Sequence, residues 1–264
     1  MDQKKGKSRI RGIIILVLLA VMLVSGAMSI RSWMEDKRTR EEYERLAELA
    51  RETTAQPSTE AETEPGTAEP ETEPYVSPIN FEELMRENPD TIGWIRVPDT
   101  NIDYPIVQGE DNDFYLNHDF YGKENIAGAI YLDFESQGDF VGRNNVLYGH
   151  NMKNGSMFGS LKQYKNDGFY EKNAYFTVFT EDAAYRYQIF AYSDVTEDSD
   201  VYTTGYLPDE TFDGFLTELL KSSYKDTGVA VGKDDKVLTL STCSGDGLRF
   251  VVHAVRVGEH ESGM

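Results

Sequence analysis

Residues 12–30 read GIIILVLLAVMLVSGAMSI, nineteen residues without a charge. A run of that length spans a hydrocarbon core of about 30 Å only as a helix, because lipid offers the backbone no hydrogen-bond partners. Lys4, Lys5, Lys7, Arg9 and Arg11 precede it. Positive flanks stay on the cytoplasmic side, so residues 1–11 are expected inside and the rest of the chain outside a single-pass membrane anchor. A cleaved signal peptide normally has a shorter apolar run, and Ser25-Gly26-Ala27 is a weak cleavage candidate in a run that continues to Ile30. Residues 31–52 are charged and helix-forming, with a thin apolar stripe of Leu46, Leu49 and Ala50, and read as a solvated juxtamembrane helix. Residues 53–77 hold four prolines, six glutamates and no basic residue, so they can bury no core and read as an extended, disordered spacer.

What remains to fold is residues 78–258, followed by a tail at 259–264. A short helix is expected over Asn80–Asn88. Eight runs rich in β-branched and aromatic residues then read as strands: Ile92–Val97, Ile102–Val107, Ala129–Leu132, Asn145–Tyr148, Ala174–Thr180, Ala184–Asp194, Lys236–Leu240 and Phe250–Val257. One amphipathic helix interrupts them at Asp209–Tyr224, where Phe212, Phe215, Leu216, Leu219 and Leu220 recur at three-to-four spacing. Many strands without a βαβ rhythm predict a mainly β fold, a closed or nearly closed barrel.

The net charge is -20, although the first forty residues carry nine Lys/Arg against three Asp/Glu. The exported part is therefore strongly acidic and repels phosphate backbones, which excludes nucleic acid as a partner. A single cysteine, Cys243, excludes a disulfide scaffold and a cysteine-rich zinc site. Asp111 and Asp113 open something like a calcium loop, but Leu116 stands where that loop needs glycine and Gly122 where it needs glutamate, so no metal and no cofactor is expected.

Cys243 ends a strand, and Arg249 begins the next one six residues on. Across a five-residue loop the two would be cross-strand partners on one face. There a guanidinium would favour the thiolate and could hold an oxyanion. The alternative is a small buried hydrophobe at a strand end, the common fate of a free cysteine. A thiol nucleophile also needs a proton carrier. Among four histidines, His253 sits inside an alternating strand, His118 in a loop and His260 in the tail. His150 follows a strand beside Gly149, Asn151 and Asn154 and is the best candidate.

Three segments carry a resemblance. Thr239-Leu240-Ser241-Thr242-Cys243 resembles the active-site signature of sortases, with Arg249 at the position of their third catalytic residue, and Tyr148-Gly149-His150-Asn151-Met152 resembles their histidine motif. The stretches Ile92–Gly122 and Ser156-Met157-Phe158, with the helix Asp209–Tyr224, are similar to class B sortases. A short Cys-to-Arg loop, Ser244–Leu248, departs from that class. The resemblance implies an eight-stranded sortase barrel with flanking helices, on the outer face of a Gram-positive cell. Cys243 would attack the threonine carbonyl of a C-terminal sorting signal, of the Asn-Pro-Gln-Thr type, on an exported surface protein. Arg249 and the Ser244 N–H would hold the oxyanion, and His150 would carry the proton. An amine of peptidoglycan or its lipid-linked precursor would resolve the thioester; a pilin-polymerising member is the alternative. Motif position adds Asn112, Leu116 and Ser241 as groove residues. The rivals are a papain-like hydrolase, whose cysteine precedes its histidine, and an anchored peptide-binding barrel.

Overall fold

The computed structural model describes residues 2–51 and 75–260, so residues 53–74 of the expected spacer and 261–264 of the expected tail lie outside it. By contacts the chain divides into one unit up to Arg45 and a second from Leu46 onward. Helix α1 spans Asp2–Arg51. Its apolar part is long and apolar enough to cross a membrane by length and composition, with none of it buried.

The second unit begins with the end of α1. Leu46 and Ala50 are fully buried within it, so these residues are not solvated as the sequence leads one to expect. Ala50 O accepts a hydrogen bond from Asn80 N at 2.8 Å. Arg51 pairs with Asp103, a carboxylate that also accepts from Trp94 Nε1 (2.6 Å) and Arg96 Nε (3.0 Å).

Eight strands form the closed barrel, at the eight expected places: β1 Thr91–Arg96, β2 Asp103–Val107, β3 Ile130–Leu132, β4 Asn144–Tyr148, β5 Tyr175–Phe179, β6 Ala184–Thr196, β7 Val237–Gly245 and β8 Leu248–His260. Around the wall they run β1-β2-β3-β4-β7-β8-β6-β5, and β1 pairs with β5 to close it. The pairs β2–β3 and β4–β7 are parallel and the rest antiparallel. Short helices α2 (Phe81–Glu87), α3 (Phe114–Asn117) and α4 (Phe169–Lys172) and a 3-10 stretch (Phe158–Lys165) lie in the connections.

The long helix before the cysteine strand is α5, Glu210–Ser222. Asp209 caps it, accepting from Thr211 N and Phe212 N. Phe212, Phe215, Leu216 and Leu219 are buried against Phe190, Val237, Val251 and Val255; Leu220, at the stripe's edge, is 39% exposed.

Strand limits differ most at the hairpin that carries Cys243. The sequence suggests a strand Lys236–Leu240 that runs into Ser241-Thr242-Cys243, and then a five-residue loop, Ser244–Leu248. Instead β7 runs through the cysteine to Gly245, and Asp246 and Gly247 turn the chain with φ of 51° and 76°. An Asp-Gly turn with both residues left-handed matches the twist of a hairpin, so the strands continue almost to the tip. At the other end β8 reaches His260, two residues past the expected domain end at 258.

Candidate active site

Register brings the site together. Parallel strands β4 and β7 pair Tyr148 with Ser241. Two residues further along each chain stand His150 and Cys243. Antiparallel pairing of β7 with β8 puts Arg249 directly opposite Cys243. The exposed thiol therefore has the imidazole-bearing segment on one side and the guanidinium strand on the other.

His150 leaves the sheet at a crowded point. A Cβ on Gly149 would lie 2.5 Å from Ile130 Cδ1 and 2.8 Å from the Phe158 ring, so only glycine fits before the histidine. The His150 Nε2 is 2.7 Å from Leu116 O. The Leu116 segment is held close by Gly128 (φ 58°), where a Cβ would fall 2.6 Å from Tyr115 O and 3.2 Å from the His150 ring. Arg249 Nη2 donates to Glu197 Oε2 at 3.0 Å, with Glu197 mostly exposed.

A cavity of about 590 Å³ is lined by Cys243, His150, Arg249, Asn112, Leu116 and Ser241. The structure thus brings six of the seven sequence-derived site residues to one place. Ser244 does not line it; its hydroxyl accepts from Lys165 Nζ at 3.1 Å, and Lys165 also binds both carboxylate oxygens of Asp194 (2.9 and 2.7 Å). Only the Ser244 backbone is left for the role expected of it. Asn112 uses both ends of its amide locally, donating to Asp133 Oδ2 (2.8 Å) and accepting from Phe134 N (3.1 Å). The buried Ser241 hydroxyl is 3.0 Å from Tyr202 OH.

Sequence reasoning missed the cavity's aromatic wall. Tyr131, Tyr148 and Tyr202 follow one another with ring centroids 5.2 and 6.0 Å apart. Tyr148 OH donates to the buried Asp133 carboxylate at 2.9 Å. Burial first, and Asp133 next, hold the Tyr148 phenol well above its ordinary pKa; burial does the same for Tyr131 and Tyr202. All three stay protonated, with the Tyr148 proton given to Asp133. Tyr148 stands in the histidine segment, but no pattern in the sequence marks Tyr131, Tyr202 or Asp133.

The other histidines play other parts. His118 stacks on Phe114 at 4.1 Å, with Nδ1 2.8 Å from Phe114 O. His253 is fully buried, with Nδ1 2.9 Å from Thr239 Oγ1, and burial lowers its pKa to about 3. Asp111 accepts from Asp113 N and Phe114 N at 2.9 Å, which makes it a turn residue at the start of α3.

Known proteins share this arrangement's frame. The Sortase domain family model matches residues 95–257. Sortase B of Listeria monocytogenes is 35% identical over 161 residues, 61% of this chain and 65% of that protein. Sortase B of Staphylococcus aureus is 30% identical over 232 residues, 88% of each chain. Among solved structures, a Staphylococcus aureus sortase B–substrate complex superimposes with a TM-score of 0.73 at 30% identity, covering 85% of this chain and all of that one. A sortase B complex from B. anthracis gives 0.72 at 30% identity, covering 85% and 99%.

Proposed function

Since the chain belongs to the sortase family, and within it to class B, we propose that it is a cysteine transpeptidase of exported proteins with Cys243, His150 and Arg249 as its catalytic residues. The observation that carries this is the register: one strand pair sets Arg249 opposite Cys243, and another pairs Tyr148 with Ser241, two residues before His150 and Cys243, which line one cavity. In this reading the Cys243 thiolate attacks the threonine carbonyl of a sorting signal of the Asn-Pro-Gln-Thr type. Negative charge then develops on the carbonyl oxygen, where Arg249 and the Ser244 N–H bind it. Leu116 O can only accept, so His150 carries one hydrogen on Nε2 and takes the Cys243 thiol proton at Nδ1, which leaves the thiolate beside an imidazolium. That proton goes to the leaving amine as the C–N bond breaks and the thioester forms. An amine of peptidoglycan or its lipid-linked precursor then attacks the thioester, gives its proton to His150 and releases the thiolate. The aromatic wall of Tyr131, Tyr148 and Tyr202, which lines the cavity with Cys243, seats the peptide. Residues 12–30 anchor the enzyme in the cell membrane with the barrel outside.

The test is incubation of the detergent-solubilised chain with a peptide carrying an Asn-Pro-Gln-Thr signal, with and without a diaminopimelate- or oligoglycine-bearing muropeptide. Mass spectrometry should find an acyl adduct on Cys243 and an amide product that requires the muropeptide. Hydrolysis alone at saturating acceptor would make this a peptidase, and preference for a pilin lysine would make it a polymerising enzyme.

A further inference from the structure

We infer that Asn151 is a positioning residue that fixes the peptide group between Cys243 and Ser244, and with it the direction of the N–H that faces the oxyanion. The inference rests on Cys243 being the nucleophile of the proposed reaction.

Beyond the Tyr148–Ser241 pair, the β4–β7 ladder makes one more backbone bond, Gly149 N to Ser241 O at 3.2 Å. The chain then turns out of the sheet, and His150 O accepts instead from Phe158 N at 3.0 Å. Along β7 the next carbonyl facing β4 is two residues on, that of Cys243. Asn151 Nδ2 donates to this carbonyl at 2.7 Å. A side-chain amide therefore supplies one extra rung where the backbone can no longer do so.

The Cys243 carbonyl and the Ser244 N–H belong to the same peptide group. That group is planar and trans, so its C=O and N–H point in opposite directions. With the carbonyl tied toward β4, the N–H is aimed toward β8, the strand on which Arg249 faces Cys243. Both oxyanion donors then converge from one side. The bond to the carbonyl also polarises the peptide and strengthens its N–H as a donor.

This peptide group needs such a tie. Ser244 is the extra residue of a bulge, with no partner in the β8 register. Gly245, Asp246 and Gly247 follow, all at positive φ (96°, 51° and 76°), in a tip that imposes little on the plane before it. A flipped plane would present a carbonyl oxygen to the developing anion, which repels it. Asn151 is itself held, because its backbone bridges Met157 across the short loop after β4.

The experiment compares two reagents on Cys243 in the detergent-solubilised full chain. Acylation by p-nitrophenyl acetate passes through a tetrahedral oxyanion: the thiolate adds to the acetyl carbon, and p-nitrophenolate leaves as the thioester forms. Alkylation by iodoacetamide displaces iodide at a saturated carbon and forms no oxyanion. In Asn151→Ala and Asn151→Asp, with the fold checked by circular dichroism, the ratio of acylation to alkylation rate should fall by about tenfold or more. With a sorting-signal peptide, kcat should fall and KM should hold. A smaller fall in the ratio overturns the inference, and so does a parallel loss of both rates, which would place the effect on the thiolate. Asn151→Asp keeps the shape of the side chain; if even this variant unfolds, Asn151 serves stability and the inference fails. A wild-type chain that shows the contrast but cleaves no sorting-signal peptide would sink the substrate reading alone.

Discussion

At Arg249 two roles predict opposite patterns. Its bond to the largely exposed Glu197 is a surface ion pair, worth at most about 1 kcal/mol of stability. Loss of an oxyanion donor costs roughly a hundred- to a thousandfold in turnover. Arg249→Ala should therefore keep its melting temperature while kcat on a sorting-signal peptide falls by about that factor. Arg249→Lys should also be badly impaired, since lysine keeps the charge without the planar fork. Folded variants with more than about a third of wild-type kcat would return Arg249 to the surface. His253 gives a prediction about pH. Its pKa is about 3 in the folded chain against an ordinary 6.5, so its contribution to stability is complete above 6.5 and is lost as pH falls toward 3. Urea unfolding across that window should show a steeper pH dependence for wild type than for His253→Gln, by up to about one proton. The two cases also show what a sequence discloses at this scale. Cys243 and His150 stand out because thiol and imidazole are rare in the chain and reactive, and Arg249 because it follows the cysteine by six residues. Asn151, Tyr131 and Asp133 do not, because their use lies in where a ladder ends or a ring is buried.

Among elements, the hairpin of β7 and β8 carries the most chemistry on the least support. Gly247 has a φ of 76°, and a Cβ placed there would meet nothing within 4 Å, so a side chain is opposed by backbone strain alone. Gly247→Val should cost about 1–2 kcal/mol in urea unfolding, and Gly247→Asn much less, since asparagine tolerates the left-handed region. An equal cost for both would make the tip's conformation irrelevant. The eight strands and α5 are legible in the sequence because each repeats its pattern over several residues. The extension of β7 to Gly245 is hidden by Ser244, Gly245, Asp246 and Gly247, which read as loop by composition; the first two become strand through the turn that the last two permit. Helix α3 and the 3-10 stretch Phe158–Lys165 are too short for a period to show.

For the molecule as a whole, the barrel's compact unit starts at Leu46, well before the run of strands. A chain beginning at residue 46 should be more stable than one beginning at residue 78, by about 2 kcal/mol for the buried Leu46 side chain alone. Paired urea titrations would show it, and equal midpoints would mean that the Leu46–Arg51 segment only rests on the surface. The last strand in the sequence, β8, sits in the middle of the wall between β6 and β7. Removing residues 248–264 should therefore abolish cooperative unfolding rather than weaken it, because it separates β7 from β6 and opens the barrel; a cooperative transition in the shortened chain would show that the remaining strands close without it. A polypeptide delivered from its N-terminus forward has no wall to close until its final strand arrives, and non-local pairing of this kind is slow. Under the proposed export, threading through a membrane pore would find the chain still pliable for nearly its entire length, and folding would become a single late event on the far side.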